Sequence, residues 1–228
     1  TNAVNTGSSP RNQYFVGFFE DFLDYIAEHK TPLDFFSWHS YTTTEKNEQY
    51  IEYVRESLRN AGCGDTEIIC NEWNYNPTDN NKIDRRYGAN QTSMLLMFQN
   101  AGLDMAHYYC ATSDYALHAG MFVPDQKPSS AYYGFWAFGQ LFNMKNQVKI
   151  SGSMPEGMYA VAARDGENAG LLVSNVSEKH DRRMDIVSIG GYEIEKCYTV
   201  NDNCEWVQIV LPEKIPAGSI LYVTFKMK

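Results

Sequence analysis

The first 146 residues alternate between two hydrophobic patterns. Apolar side chains recur three and four residues apart from Tyr14 to Lys30, which is typical of an amphipathic helix, and the polar segment before it predicts a loop. The same period predicts further helices at residues 46–61, 84–101 and 130–142. Short apolar runs predict buried strands at residues 33–41, 66–71 and 105–110. Helices that alternate with short buried strands indicate a parallel α/β sheet.

From residue 147 onward the hydrophobic period changes to two. Strand-like segments are separated by turn signals such as Asp165-Gly166 and Gly190-Gly191. The predicted strands lie at residues 158–164, 169–175, 184–189, 193–199, 206–211 and 219–226. Short, regularly spaced strands predict a small antiparallel β-sandwich. We therefore expect two domains, at residues 1–146 and 147–228.

Composition narrows the class of partner. The formal net charge is −9 and the 19 Lys and Arg residues are scattered, which disfavours a nucleic acid or an anionic membrane as partner. No run of about 18 apolar residues is present, so the sequence predicts no transmembrane helix. The 16 Tyr, 12 Phe and 4 Trp suit a sugar ligand, whose apolar C–H faces stack on aromatic rings, although such side chains most often pack in cores. A neutral partner fits this chain best.

The five cysteines show no CxxC spacing. This argues against a zinc site and against a dense disulfide scaffold. Two interpretations stay open, a Cys197–Cys204 bridge across a hairpin and five free thiols.

Polar side chains interrupt the apolar strands at their carboxyl ends, in residues 37–41, 71–74 and 108–114. In (β/α)8 enzymes the catalytic residues lie at that end of the strands. Glu72 is the strongest candidate. A carboxylate at the end of a buried strand costs folding free energy unless it is hydrogen-bonded or paired. Tyr41, at the end of the preceding strand, is a candidate donor. The alternative is a solvated glutamate at the start of a loop.

Three parallel strands cannot close a (β/α)8 barrel, which takes eight strands and about 250 residues. The chain is therefore expected to carry part of a barrel, or else to form a small open α/β sheet. Neither a GxGxxG turn nor a GxxxxGK[ST] loop occurs, so a nucleotide-binding function of an open sheet has no support.

The order and spacing of the strand-end motifs resemble glycoside hydrolase family 39 and its relatives in the clan A barrels, which include β-xylosidases and α-L-iduronidases. The resemblance spans residues 33–141 and rests on LDFFSWHSY, IICNEWN, YYCATSD and DQKPSSAYYGFWAFGQL, in that order. It implies an α/β plus all-β chain: strands 6–8 of a (β/α)8 TIM barrel with their helices, then an accessory antiparallel β-sandwich. The missing N-terminal half-barrel of the same protein is then a partner.

The same resemblance implies roles for individual residues. Glu72 would be the nucleophile of a retaining glycosidase, with His39 and Tyr41 beside it on the preceding strand. Trp73 and Asn74 would shape the sugar site.

Tyr109 and Asp114 are further candidates for substrate binding. Plainer roles stay open beside these. His39 is also typical of a satisfied strand-end histidine, Trp73 and Trp136 of packing residues, and Asp114 of a turn cap.

Two departures from the family pattern matter. Its Asn-Glu-Pro motif, whose Glu is the general acid/base, does not occur here, although retaining hydrolysis needs two carboxyl groups about 5–5.5 Å apart. Asn71-Glu72 is not that motif, because Trp73 follows it and only one strand–helix unit remains. The acid/base is thus expected upstream of Thr1. Cys110 stands where relatives often have a Trp, which puts the usual substrate in doubt.

Three hypotheses follow. The first is a retaining glycosidase that acts on an oligosaccharide or glycoside without a metal or cofactor, in a secreted or periplasmic location suggested by that substrate class. The second is a sugar-binding protein that keeps the barrel scaffold but not catalysis. An Asn-Glu pair at an upstream strand end would favour the enzyme. The third, a free-standing α/β domain without a sugar role, stays open because a fold does not fix a function.

Overall fold

A computed structural model describes residues 8–75, 84–112, 120–123, 126–185 and 190–228. Its helices, in chain order, are α1 (Pro10–His29), α2 (Thr44–Asn60), α3 (Arg85–Ala101) and α4 (Ser130–Asn143). Its first strands are β1 (Phe35–Ser40), β2 (Glu67–Trp73), β3 (Met105–Tyr108), β4 (Asn146–Val148), β5 (Met158–Arg164) and β6 (Asn168–Asn175). The remaining strands are β7 (Arg182–Arg183), β8 (Tyr192–Val200), β9 (Trp206–Ile209), β10 (Lys214–Ile215) and β11 (Ser219–Met227).

The chain forms two compact units. One comprises Thr1–Pro77 with Asn100–Tyr109, and the other comprises Thr78–Gln99 with Cys110–Lys228. The antiparallel strands begin at Asn146, where the sequence pattern changes, but α4 and most of α3 group with those strands. The domain boundary between residues 146 and 147 therefore stays a prediction.

The first unit is built on a parallel sheet in the order β1-β2-β3. Helices α1 and α2 bury their apolar faces in this unit, and the ring of Phe19 on α1 lies 4.5 Å from the ring of Phe36 on β1. One side of the sheet, which we call the covered face, carries buried side chains such as Trp38 on β1 and its register partner Cys70 on β2. The other side, which we call the open face, carries exposed side chains such as Phe35 and Met105.

Helix α1 begins earlier than the sequence pattern predicted. Ser9 is its N-cap, with a side chain that accepts a hydrogen bond from the Asn12 backbone N–H, and Pro10 occupies the first turn. The prediction of a loop was therefore wrong for residues 10–12. Lys30, in the left-handed region at a φ of 52°, ends the helix where predicted.

The second unit contains an antiparallel sheet in the order β4-β5-β6-β11-β8-β9. Its central strands β5, β6 and β11 carry buried side chains on both faces. One face packs against α4 and α3 through residues that include Leu96, Leu141 and Leu172, and the other carries a second apolar cluster around Val173, Val223 and Phe225. The predicted α/β region followed by antiparallel strands is thus confirmed.

The second layer of a sandwich is smaller than predicted in the part of the chain that the structure describes. It is the two-stranded ladder of β7 and β10, in which Ile215 contributes to the apolar cluster. The strand predicted at residues 184–189 falls mostly outside the described residues. Strands β4 and β10, with three and two residues, were not predicted.

All five cysteines are free. The interpretation of a Cys197–Cys204 bridge is therefore wrong, and that of five free thiols is confirmed. Among the described residues, no helix combines the length and apolar character needed to span a membrane.

Candidate active site

A β-bulge near the end of β2 determines where Glu72 points. Between Cys70 and Trp73 the chain advances three residues while the paired segment of β3 advances two, from Ala106 to Tyr108. The pairing with β1 shifts at the same place. Since successive strand residues alternate between faces, the extra residue leaves both Asn71 and Glu72 on the open face.

Two side chains from the neighbouring strand contact the Glu72 carboxylate. His39 is its register partner on β1, and Nδ1 of His39 lies 3.6 Å from Oε2 of Glu72. Tyr41, which follows β1, donates a hydrogen bond from its hydroxyl to Oε1. The side chain of Glu72 is 30% exposed, so the carboxylate is oriented by partners and still accessible.

Tyr109 borders the same group. It follows β3, its backbone N–H donates to the Trp73 carbonyl over 2.9 Å, and its ring lies edge-on to Tyr41 with centroids 6.5 Å apart. Its side chain is exposed. The structure thus brings together four of the predicted residues: Glu72, His39, Tyr41 and Tyr109.

Trp73 and Asn74 lie behind this group instead of on the open face. Both side chains are 0% exposed. The ring of Trp73 packs edge-on against Tyr108, and Nδ2 of Asn74 donates to the Tyr109 carbonyl over 2.7 Å. A buried indole has no face left for a sugar, so Trp73 packs as in the plainer interpretation. Asp114 lies outside the described residues.

The sequence interpretation passed over Asn71, which the bulge places beside Glu72. The signal was present in the spacing of the buried side chains. In a regular strand, residues three apart lie on opposite faces. Cys70 and Trp73 are both apolar, so a regular strand would expose one of them, whereas a bulge lets both lie on the covered face.

The thiol beneath Glu72 carries no charge at neutral pH. Cys70 is buried on the covered face and its Sγ donates to the Glu72 carbonyl. Burial raises the pKa of this thiol to about 12. The carboxylate therefore does not face a neighbouring thiolate.

A cleft of about 830 Å³ lies at the opposite end of the parallel sheet. Its lining includes Lys30, Asp34 and Asp65, which precede β1 and β2. In (β/α)8 enzymes that end of the strands serves stability, whereas the chemistry lies at the carboxyl ends. We therefore place the candidate site at Glu72.

The arrangement suits nucleophilic chemistry by a carboxylate. Oε1 of Glu72 accepts a hydrogen bond from a hydroxyl group, and Oε2 lies 3.6 Å from an imidazole nitrogen. In the described part of the chain, the contacts of Glu72 do not include a second carboxyl group.

Solved structures with the same fold include several glycosidases. A glucosidase from Croceicoccus marinus superposes with a TM-score of 0.72 at 18% identity, over 92% of this chain and 57% of that protein. A monomeric β-xylosidase from Caulobacter crescentus CB15 gives 0.62 at 10% identity, over 91% and 59%. A GH39 enzyme from Xanthomonas axonopodis pv. citri gives 0.62 at 13% identity, over 92% and 58%.

These likenesses confirm, at the level of the fold, the resemblance to family 39 β-xylosidases and related glycosidases. No protein-family model matches the sequence, and a comparison with curated proteins gives no match. The chain spans 57–59% of the length of the three structures named above.

Proposed function

We propose that this chain is the C-terminal portion of a retaining, β-xylosidase-like glycoside hydrolase in which Glu72 is the nucleophile. The observation that carries the proposal is the placement of an accessible, hydrogen-bonded carboxylate at the carboxyl end of a parallel strand. The glycosidase fold of the structural neighbours supports it. These neighbours include both a glucosidase and a β-xylosidase, so the identity of the sugar is part of the proposal.

The reaction would proceed by double displacement. Oε2 of Glu72 attacks the anomeric carbon as the bond to the leaving oxygen breaks, and a covalent glycosyl-enzyme forms. Water then displaces Glu72 and releases the sugar. The hydrogen bond from Tyr41 holds Oε1, which orients the attacking oxygen without blocking it.

The leaving oxygen needs a proton from a second carboxyl group about 5–5.5 Å from Glu72. We propose that this acid/base lies on an N-terminal half-barrel of the same protein, which would also cover the open face. Parallel sheets are normally buried on both faces, and the exposed Phe35 and Met105 fit such a covering. An Asn-Glu pair at an upstream strand end would support this assignment.

A Glu72→Ala variant of the full-length enzyme tests the proposal. Turnover of an activated aryl glycoside should be lost, because no nucleophile remains, and added azide should restore activity with formation of the α-glycosyl azide from a β-glycoside. Glu67→Ala, at the other end of the same strand, is the matched control and should keep turnover. Near-normal activity of Glu72→Ala without azide would end the proposal.

The second candidate is a sugar-binding protein without catalysis. Its ground is that the described contacts of Glu72, with Tyr41 and His39, do not include a second carboxyl group. If this second function is the right one, the full-length protein should bind xylo-oligosaccharides saturably and release no product. Isothermal titration measures the binding, and product analysis distinguishes it from hydrolysis.

A further inference from the structure

The bulge in β2 presents two adjacent side chains to the open face where a regular strand presents one. Cys70 and Trp73 are three residues apart, yet both are 0% exposed on the covered face. The two residues between them therefore share the opposite face, and Asn71 is exposed there beside Glu72. Bulges interrupt the hydrogen-bond ladder and are frequent next to active sites, where they redirect side chains.

We propose that Asn71 is a further substrate-contacting residue, which binds a hydroxyl group of the sugar that Glu72 attacks. The inference rests on the proposed function and deepens it. Consecutive Cα atoms are about 3.8 Å apart, so a group bound by Asn71 lies next to the carbon attacked by Glu72. A carboxamide has both donor and acceptor atoms and therefore matches a hydroxyl, which is also both.

The two asparagines that flank Glu72 and Trp73 differ in a way that supports this role. The Asn74 amide is buried and donates to the Tyr109 carbonyl. The Asn71 amide is exposed, and within the described part of the chain it has no hydrogen-bond partner. Asn74 thus supports the backbone, while Asn71 keeps its hydrogen-bonding capacity for a ligand.

A substrate-deletion cycle on the full-length protein tests the inference. The best substrate among 4-nitrophenyl β-xyloside, β-glucoside and α-L-arabinofuranoside is compared with its monodeoxy analogues, for the wild type and Asn71→Ala. Loss of one hydrogen bond should lower kcat/KM about tenfold on the parent substrate. On the analogue that lacks the contacted hydroxyl, the two proteins should be equal within about twofold.

Asn60→Ala, an exposed asparagine on α2, is the matched control and should leave every rate unchanged. Asn71→Ser is measured in parallel in case the alanine variant lowers the melting temperature. The decrease in kcat/KM that the serine variant shows on the parent substrate should also vanish on that analogue. A variant as active as the wild type, or an equal loss on every analogue, overturns the inference alone. A wild type that hydrolyses none of the three glycosides overturns the proposed function as well.

Discussion

Tyr41 and Tyr53 of the first unit each donate a hydrogen bond to a glutamate, and Tyr41 does so at the candidate site. Removing its hydroxyl leaves Glu72 without the donor that orients Oε1. A hydrogen bond to a charged group is worth about 1.5–3 kcal/mol, so Tyr41→Phe should lower kcat of the full-length enzyme roughly tenfold to a hundredfold. Tyr53→Phe removes the bond from Tyr53 to Glu20 and is the matched control. A Tyr41→Phe enzyme with kcat within twofold of normal would contradict the orienting role.

The thiols give a test that needs no substrate. Burial raises the pKa of Cys70 from 9.0 to about 12, so its thiolate population at pH 8 is about a thousandfold lower than that of an ordinary thiol. Iodoacetamide at pH 8 should therefore alkylate Cys63, which is partly exposed, well before Cys70. Peptide mass spectrometry measures the order, and rapid modification of Cys70 in the folded protein would show that β2 is not buried as described.

At the residue scale the sequence predicted the contact between Tyr41 and Glu72, because both follow apolar runs on neighbouring strands. It left open whether Trp73 packs in the core or shapes the sugar site, and the structure buries its side chain. The reason is the bulge, which shifts the alternation by one residue and which the pairing with both neighbouring strands establishes.

Helices α3 and α4 approach each other closely through glycine. A Cβ at Gly134 would overlap with the Thr92 hydroxyl, whereas one at Gly139 on the same helix would meet nothing. Gly134→Ala should therefore lower the free energy of unfolding by about 1–3 kcal/mol through overpacking, and Gly139→Ala should raise it by up to about 1 kcal/mol.

Chemical denaturation followed by circular dichroism measures both changes. Adding Thr92→Ala to Gly134→Ala removes the overlapping hydroxyl and should recover part of the loss. Equal stability of the two single alanine variants would contradict the close packing of α3 on α4.

At the element scale the long periodic segments were predictable and the short ones were not. Strand β5 lies where alternation placed it, at Met158–Arg164. Strands β4 and β10 are too short to show a hydrophobic period. They are defined by their pairing with neighbouring strands, which the sequence pattern does not reveal. The start of α1 was missed although Ser9-Pro10 is a helix-start signal, because the segment around it is polar.

At the scale of the whole molecule, the open face of the parallel sheet carries apolar side chains that are exposed in the described part of the chain. Phe35 is 55% and Met105 48% exposed, and the acid/base is not found among the contacts of Glu72. We predict that the chain expressed alone does not hydrolyse aryl glycosides and that the full-length protein does. The native protein should exceed 26.0 kDa by intact mass, or co-purify with a complementary fragment. A stable 228-residue monomer with glycosidase activity would contradict the half-barrel proposal.

That the three parallel strands belong to a larger barrel stays a prediction from the sequence. Three predicted strands are fewer than the eight that a barrel needs. Their assignment as strands 6–8 of the barrel follows from the resemblance and not from the hydrophobic period.

The central claim is that Glu72 forms a covalent bond to the sugar, and trapping that bond tests it most directly. The full-length protein is incubated with an activated 2-deoxy-2-fluoro glycoside of its best sugar, digested with pepsin and examined by tandem mass spectrometry. We expect one added fluoro-sugar, located on Glu72, and no label on the Glu72→Gln variant. A label on another carboxylate, or turnover with inversion and no label, would contradict it.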